Sequence, residues 1–202
     1  MKKSVDFYFD FSSTNSYFAA FLLPQICERN GAGINWLPIH LAAMFRGTGF
    51  DVSATSPLKS RYLWRDHQRY ADFTGLPFKK PSRFPIKTSA ALRGVLAARQ
   101  IAENAAVEYS QAVFRAYWER DEDIGDPKVL SAIAASLRFR QPAFTSAIDS
   151  VPIRNELAAI TARAIERGVF GAPTFFIGDE MFWGKDRLDF VERELRRDQF
   201  DR

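Results

Sequence analysis

Polar and apolar residues alternate across Ser4-Val-Asp-Phe-Tyr-Phe-Asp10, a period of two that predicts a strand. Behind it stands a run of helix N-cap types, Ser12-Ser13-Thr14-Asn15-Ser16, which opens a helix over about 15–29. Phe18, Phe21, Leu22 and Ile26 form its apolar face. Pro24 predicts a kink, and Asn30-Gly31 ends the helix. Residues 33–39 read as a second strand. Two strands joined by one helix make a βαβ unit with parallel strands. Residues 41–55, with Gly47 and Gly49, read as loop. Leu58, Tyr62, Leu63, His67, Tyr70 and Phe73 recur at helical spacing within 56–74. Three prolines make 76–87 a loop. Helical patterns follow over 88–104, 106–119, 127–138, 142–149 and 152–168, the last stopped by Gly168. Residues 173–177 and 180–183 read as strands joined by a Gly178-Asp179 hairpin turn, and a last helix covers about 185–197.

The order is therefore β-α-β, a helical block, then α-β-β-α. With the block removed, it is the element order of a thioredoxin fold. This predicts an α/β protein in which residues 1–40 and 151–202 form the thioredoxin-like domain and 41–150 a large all-helical insertion. The 202 residues, 47% apolar and 26% charged, suffice for a buried core and exclude disorder as the main state. One cysteine, Cys27, excludes a disulfide framework and a Cys-x-x-Cys redox centre, and only two histidines argue against a metal site. No run approaches the ~18 apolar residues of a membrane span. Asp6 and Asp10 interrupt the apolar start, so it reads as a strand rather than a signal segment and predicts a cytoplasmic protein. The +4 balance, 28 basic against 24 acidic residues, is scattered along the chain, which speaks against nucleic-acid binding. The local excess at Lys79, Lys80, Arg83 and Lys87 is a solvated loop or the edge of a cleft for a small anion.

Three places carry candidate chemistry. The Ser12–Ser16 turn sits at a helix N-terminus, where unpaired N–H groups and the helix dipole stabilise an anion, a thiolate included. Capping alone would need one such residue, not five. Pro173, at the start of a strand, cannot donate to the ladder, and a cis Ala172-Pro173 bond would free Ala172 to pair with an extended ligand. Asp186, beside Lys185 and Arg187, either caps the last helix or receives a ligand ammonium group.

Together these residues carry a resemblance. Phe9-Asp10-Phe11-Ser12-Ser13-Thr14-Asn15-Ser16-Tyr17 resembles the F-D-F-x-S-P-x-S-Y stretch of 2-hydroxychromene-2-carboxylate isomerases. That family is related to kappa-class glutathione transferases and, more distantly, to DsbA-type oxidoreductases. Trp36-x-Pro38, Arg83-Phe84-Pro85, Leu92-Arg93, Val169 to Phe175 and Phe182-Trp183-Gly184-x-Asp186-Arg187 match in the same order. The resemblance implies glutathione as cofactor, bound between core and insertion. Ser13 would face its sulfur, Ala172 before cis-Pro173 would pair with its cysteinyl backbone, and Asp186 with Lys185 would hold its γ-glutamyl end. The thiolate would add reversibly to the side chain of an aromatic or conjugated carboxylic acid, permitting rotation about the former double bond. Arg83 and Lys87 are candidates for the substrate carboxylate, and Asn15 for substrate contact. The resemblance also favours a homodimer. Departures from the family pattern are Thr14 in place of proline, Asn15 in place of an aromatic, and Lys185 where some relatives have asparagine.

Two other functions remain open at this point. One is a kappa-type transferase that conjugates an electrophile. The other is a non-catalytic thioredoxin-like binding module, which would need neither the polar turn nor Asp186. Cys27 reads as a buried small hydrophobe, and His40 as a core or surface histidine rather than a general base.

Overall fold

β1 (Ser4–Phe9) forms where the alternation predicts it and lies in the interior of a four-stranded sheet of order β2-β1-β3-β4. The structure, a computed structural model, describes residues 3–48 and 56–200. β2 (Gly33–Pro38) pairs parallel to β1 and sets Trp36 opposite Phe7. β3 (Thr174–Ile177) runs antiparallel to β1, and β4 (Glu180–Trp183) closes the hairpin at the sheet edge. Gly178 makes that turn with φ 58°, a left-handed conformation in which a Cβ would be strained. Phe7 stacks on Phe9 and Phe175, with Trp36 edge-on, so aromatic rings fill one face of the sheet.

α1 (Thr14–Arg29) runs through Pro24 without a break. Proline offers no N–H to the carbonyl four residues back. That carbonyl, Ala20 O, accepts instead from Gln111 Nε2 at 3.3 Å on α5 (Glu103–Trp118). The cost of the proline is thus offset by a contact between helices. Trp118 Nε1 on the same α5 donates to Phe11 O at 2.9 Å, and Phe114 packs on Phe9 and Phe11. These contacts tie the turn after β1 to the helical block.

The block departs from expectation at several points. Leu41–Thr48 is a helix, α2, not loop; the rest of the expected loop, 49–55, lies outside the described residues. His40 is a poor cap, and α2 is started by a distant one: Leu41 N donates to Asp10 Oδ2 at 2.9 Å, 31 residues away in sequence. On α3 (Pro57–Thr74) only part of the expected apolar face is inside: Leu58, Tyr62 and Phe73 are exposed, while Tyr70 packs against the core, as does Trp64 from outside the expected face. The expected 88–104 helix ends earlier as α4 (Ser89–Arg99), and α5 begins at Glu103. α6 (Pro127–Ser136), α7 (Gln141–Asp149) and α8 (Val151–Glu166) follow their patterns. The last helix opens with a 3₁₀ turn, Lys185–Arg187, before α9 (Leu188–Phe200). This is a thioredoxin-like core with a large helical insertion between β2 and α8. One cluster of buried side chains runs through sheet, α1 and insertion alike.

Candidate functional site

Ser13 is the N-cap of α1, in extended conformation (φ −88°, ψ 113°). Its Oγ accepts from Ser16 N at 3.1 Å and donates to Ala172 O at 2.8 Å. No acidic residue stands in the first turn of α1; the nearest carboxylate in the chain, Asp10, lies just before it. Just before the turn, Asp10 is 1% exposed and fully engaged. Its Oδ1 accepts from Ser12 N (2.8 Å) and Ser12 Oγ (2.9 Å), and its Oδ2 from Leu41 N and from Thr88 Oγ1 (3.3 Å). One buried carboxylate therefore fixes the Ser12–Ser13 turn against the starts of α2 and α4. Among the described residues, Asn15 Oδ1 and Ser16 Oγ are buried without a hydrogen-bond partner.

The Gly171–Pro173 segment faces this turn. The Ala172–Pro173 peptide is cis, Pro173 O accepts from Gly184 N at 3.0 Å, and Thr174 Oγ1 donates to Gly171 O at 2.7 Å. A Cβ at residue 171 would come within 2.7 Å of Trp183 Nε1, so a larger residue there must displace the Trp183 ring. Lys185 and Asp186 follow directly. Lys185 lies over the Tyr70 ring at 4.0 Å, and Asp186 is exposed and 3.2 Å from Arg187. Burial lowers the Lys185 ammonium pKa, while Asp66 and Asp186 oppose the shift.

Between turn and insertion opens a cleft of about 970 Å³. Ser13, Thr14, Asn15 and Lys87 line it, together with apolar Leu41, Phe45, Phe84 and Ile86. Arg46, His40 and His67 complete its polar wall. Ser13, Asn15 and Lys87 are thus brought together. Ala172 reaches the site through its bond to Ser13. Arg83 is not among the lining residues; it pairs with Asp123 at 3.5 Å on the exposed surface. A groove of about 880 Å³ between β4 and α9 holds none of the expected site residues, and its Glu192 is already paired with Arg29 and Arg196.

Asp10, Arg46 and His67 were not among the residues the sequence singled out for chemistry. His67 sat inside a helical apolar pattern, and Arg46 in a stretch that reads as loop. Burial, aided by the Lys185 charge and opposed by Asp66, pushes the His67 pKa down to about 4. Burial also lowers His40 despite nearby Asp10, with Arg46 and Arg93 adding to the shift. Cys27 is buried, which pushes its thiol up to about 12 and leaves it inert. Among the described residues there is no cluster of metal-ligating side chains, and no helix is long and apolar enough to cross a membrane.

Residues 4–196 match the model of the DSBA-like thioredoxin domain. A 2-hydroxychromene-2-carboxylate isomerase of Pseudomonas sp. (strain C18) is 35% identical over 95% of this chain and 89% of its own. Glutathione S-transferase kappa 2 of Caenorhabditis elegans is 29% identical over 94% of this chain and 90% of its own. The solved structure of a 2-hydroxychromene-2-carboxylate isomerase superposes with a TM-score of 0.87, at 33% identity, over 98% of this chain and 99% of that one.

Proposed function

The chain belongs to the 2-hydroxychromene-2-carboxylate isomerase family, within the DsbA-like thioredoxin superfamily, and on that premise we propose that it is a glutathione-dependent cis-trans isomerase. The observation that carries the reading is Ser13, a hydroxyl at the N-terminal end of α1, opening onto a cleft with an apolar wall. Bound glutathione would supply a thiolate, the nucleophile of the reaction.

The protein's own residues do the rest. Ser13 Oγ holds its proton toward Ala172 O, and rotation about the C–O bond turns it toward a sulfur. The first-turn N–H groups of α1 lack intrahelical carbonyls and add their partial charge. Such an environment lowers a thiol pKa without making the serine a nucleophile. The Ala172 backbone before Pro173 holds the cysteinyl portion, and Asp186 with Lys185 the γ-glutamyl ammonium and carboxylate. Lys87, joined by Arg46, holds the carboxylate of an aromatic or conjugated acid, and Phe45, Phe84 and Ile86 take its apolar body. Asn15 contacts the same substrate. Arg83, engaged with Asp123, contributes at most to the field at the cleft mouth. We further propose that the protein works in the cytoplasm and, as the family resemblance implies, as a homodimer.

The likeness to a kappa-class transferase keeps conjugation as the second reading. One incubation separates the two. 2-Hydroxychromene-2-carboxylate is mixed with the protein and glutathione at a tenth of the substrate's concentration, an excess of about tenfold chosen to force recycling. Isomerisation predicts that several substrate molecules per glutathione are converted, up to the equilibrium mixture, with glutathione recovered. A stalled reaction with glutathione in a conjugate means a transferase, and no conversion means a binding module. Asp186→Ala is expected to weaken glutathione binding while turnover at saturation changes less; unchanged affinity removes Asp186 from the site.

A further inference from the structure

His67 stands apart from the groups described so far. It lines the cleft from α3, and its ring is boxed by Phe18 of α1, Trp64 of α3 and Phe78, at centroid distances of 6.4, 5.9 and 6.3 Å. Inside that box Nδ1 is buried and, among the described residues, has no hydrogen-bond partner. The two ring nitrogens are therefore unequal. An orphaned buried N–H costs more than an orphaned lone pair, so the proton belongs on Nε2. Nε2 is not among the buried unpartnered atoms, and His67 is one of the residues that line the cleft.

We propose that His67 is a substrate-binding residue whose Nε2–H donates a hydrogen bond across the cleft to an acceptor oxygen of the aromatic or conjugated carboxylic acid. The inference deepens the function proposed above and rests on it for the class of substrate. The aromatic box that strips Nδ1 of partners also opposes protonation, and the neighbouring Lys185 acts in the same sense against Asp66. The imidazole therefore stays neutral through the physiological range and keeps one N–H in one place. A neutral donor suits this position. A charged imidazolium would compete with Ser13 for an anionic sulfur, whereas a neutral N–H recognises an oxygen without doing so.

The test uses benzoylformate, an aromatic acid with no conjugated alkene for a thiol to add to, in the absence of glutathione. The sequence has only two histidines, so a long-range proton–nitrogen NMR spectrum resolves both rings, with His40→Gln to assign them. At neutral pH His67 is expected as the Nε2–H tautomer, and its Nε2 signal, not that of His40, should shift on titration. His67→Phe, which keeps the ring but loses the donor, should bind benzoylformate about fivefold more weakly, the effect of removing one neutral hydrogen bond. His67→Gln, which places an amide N–H at similar reach, should recover most of that loss. An Nδ1–H tautomer, a protonated ring at neutral pH, or equal affinity in wild type and His67→Phe would overturn the proposal. Glutathione binding is followed in the same variants. If the wild type fails to ionise bound glutathione, the isomerase reading fails while the benzoylformate result still decides the role of His67.

Discussion

Ser13 combines two jobs that a substitution separates. As N-cap it satisfies Ser16 N, and Ser13→Ala should cost about 1 kcal/mol of stability in denaturant unfolding, the usual loss of a cap. As the hydroxyl facing a bound sulfur it should cost far more in rate, on the order of 100-fold, comparable to removing one preorganised donor to a developing anion. Ser13→Asn tests the division, because asparagine keeps a cap acceptor; it should recover stability and not activity. Gln111 shows how one distant side chain compensates another. Gln111→Leu leaves Ala20 O without its partner and should destabilise the protein by about 1–2 kcal/mol. In a Pro24→Ala background the helix regains an N–H for that carbonyl, so the same change should cost less. Equal losses in the two backgrounds would mean that Gln111 acts elsewhere.

At the level of elements, local signals decide what a sequence reveals. β1, α1, β2 and the β3–β4 hairpin carry their own alternation, caps and turn glycines, and all are legible. α2 is not, because its first N–H is satisfied by Asp10 from the far side of the β1 turn rather than by a neighbour in sequence. The same carboxylate receives Thr88 Oγ1, so the N-cap residue of α4 spends its hydroxyl on Asp10 instead of on its own helix. An aspartate at residue 10 reads as a break in an apolar run; its role as a shared anchor exists only in three dimensions. Asp10→Asn should destabilise by about 3 kcal/mol, since an amide nitrogen must meet N–H donors in a buried site. Its amide-exchange signature should be faster exchange at Ser12 and Leu41, with protection in β1 retained. Unchanged exchange at both amides would remove Asp10 from its anchoring role.

For the molecule as a whole, the polar turn, Ala172-Pro173 and Lys87 stand out in the sequence as chemistry, but the cleft's far wall does not. Arg46 looks like a loop residue and His67 like an ordinary helix residue until the insertion folds back over α1. His67 also ties the cleft to acid stability. Its pKa falls from an ordinary 6.5 to about 4 on folding, so between those values the unfolded chain binds a proton that the native one refuses. The stability it contributes is full above pH 6.5 and is lost as pH falls toward 4, with a slope of up to about 1.4 kcal/mol per pH unit. His67→Gln should flatten that part of the profile in pH-dependent unfolding; an identical profile would contradict the buried neutral ring. The central claim, that α1 and Ser13 together ionise a bound thiol, is tested most directly by ultraviolet difference absorbance on adding glutathione at neutral pH to wild type and to Ser13→Ala. A thiolate band in the wild type that is lost in the variant is the predicted result. Glutathione bound as a neutral thiol in the wild type, or an equal band in both proteins, would contradict it.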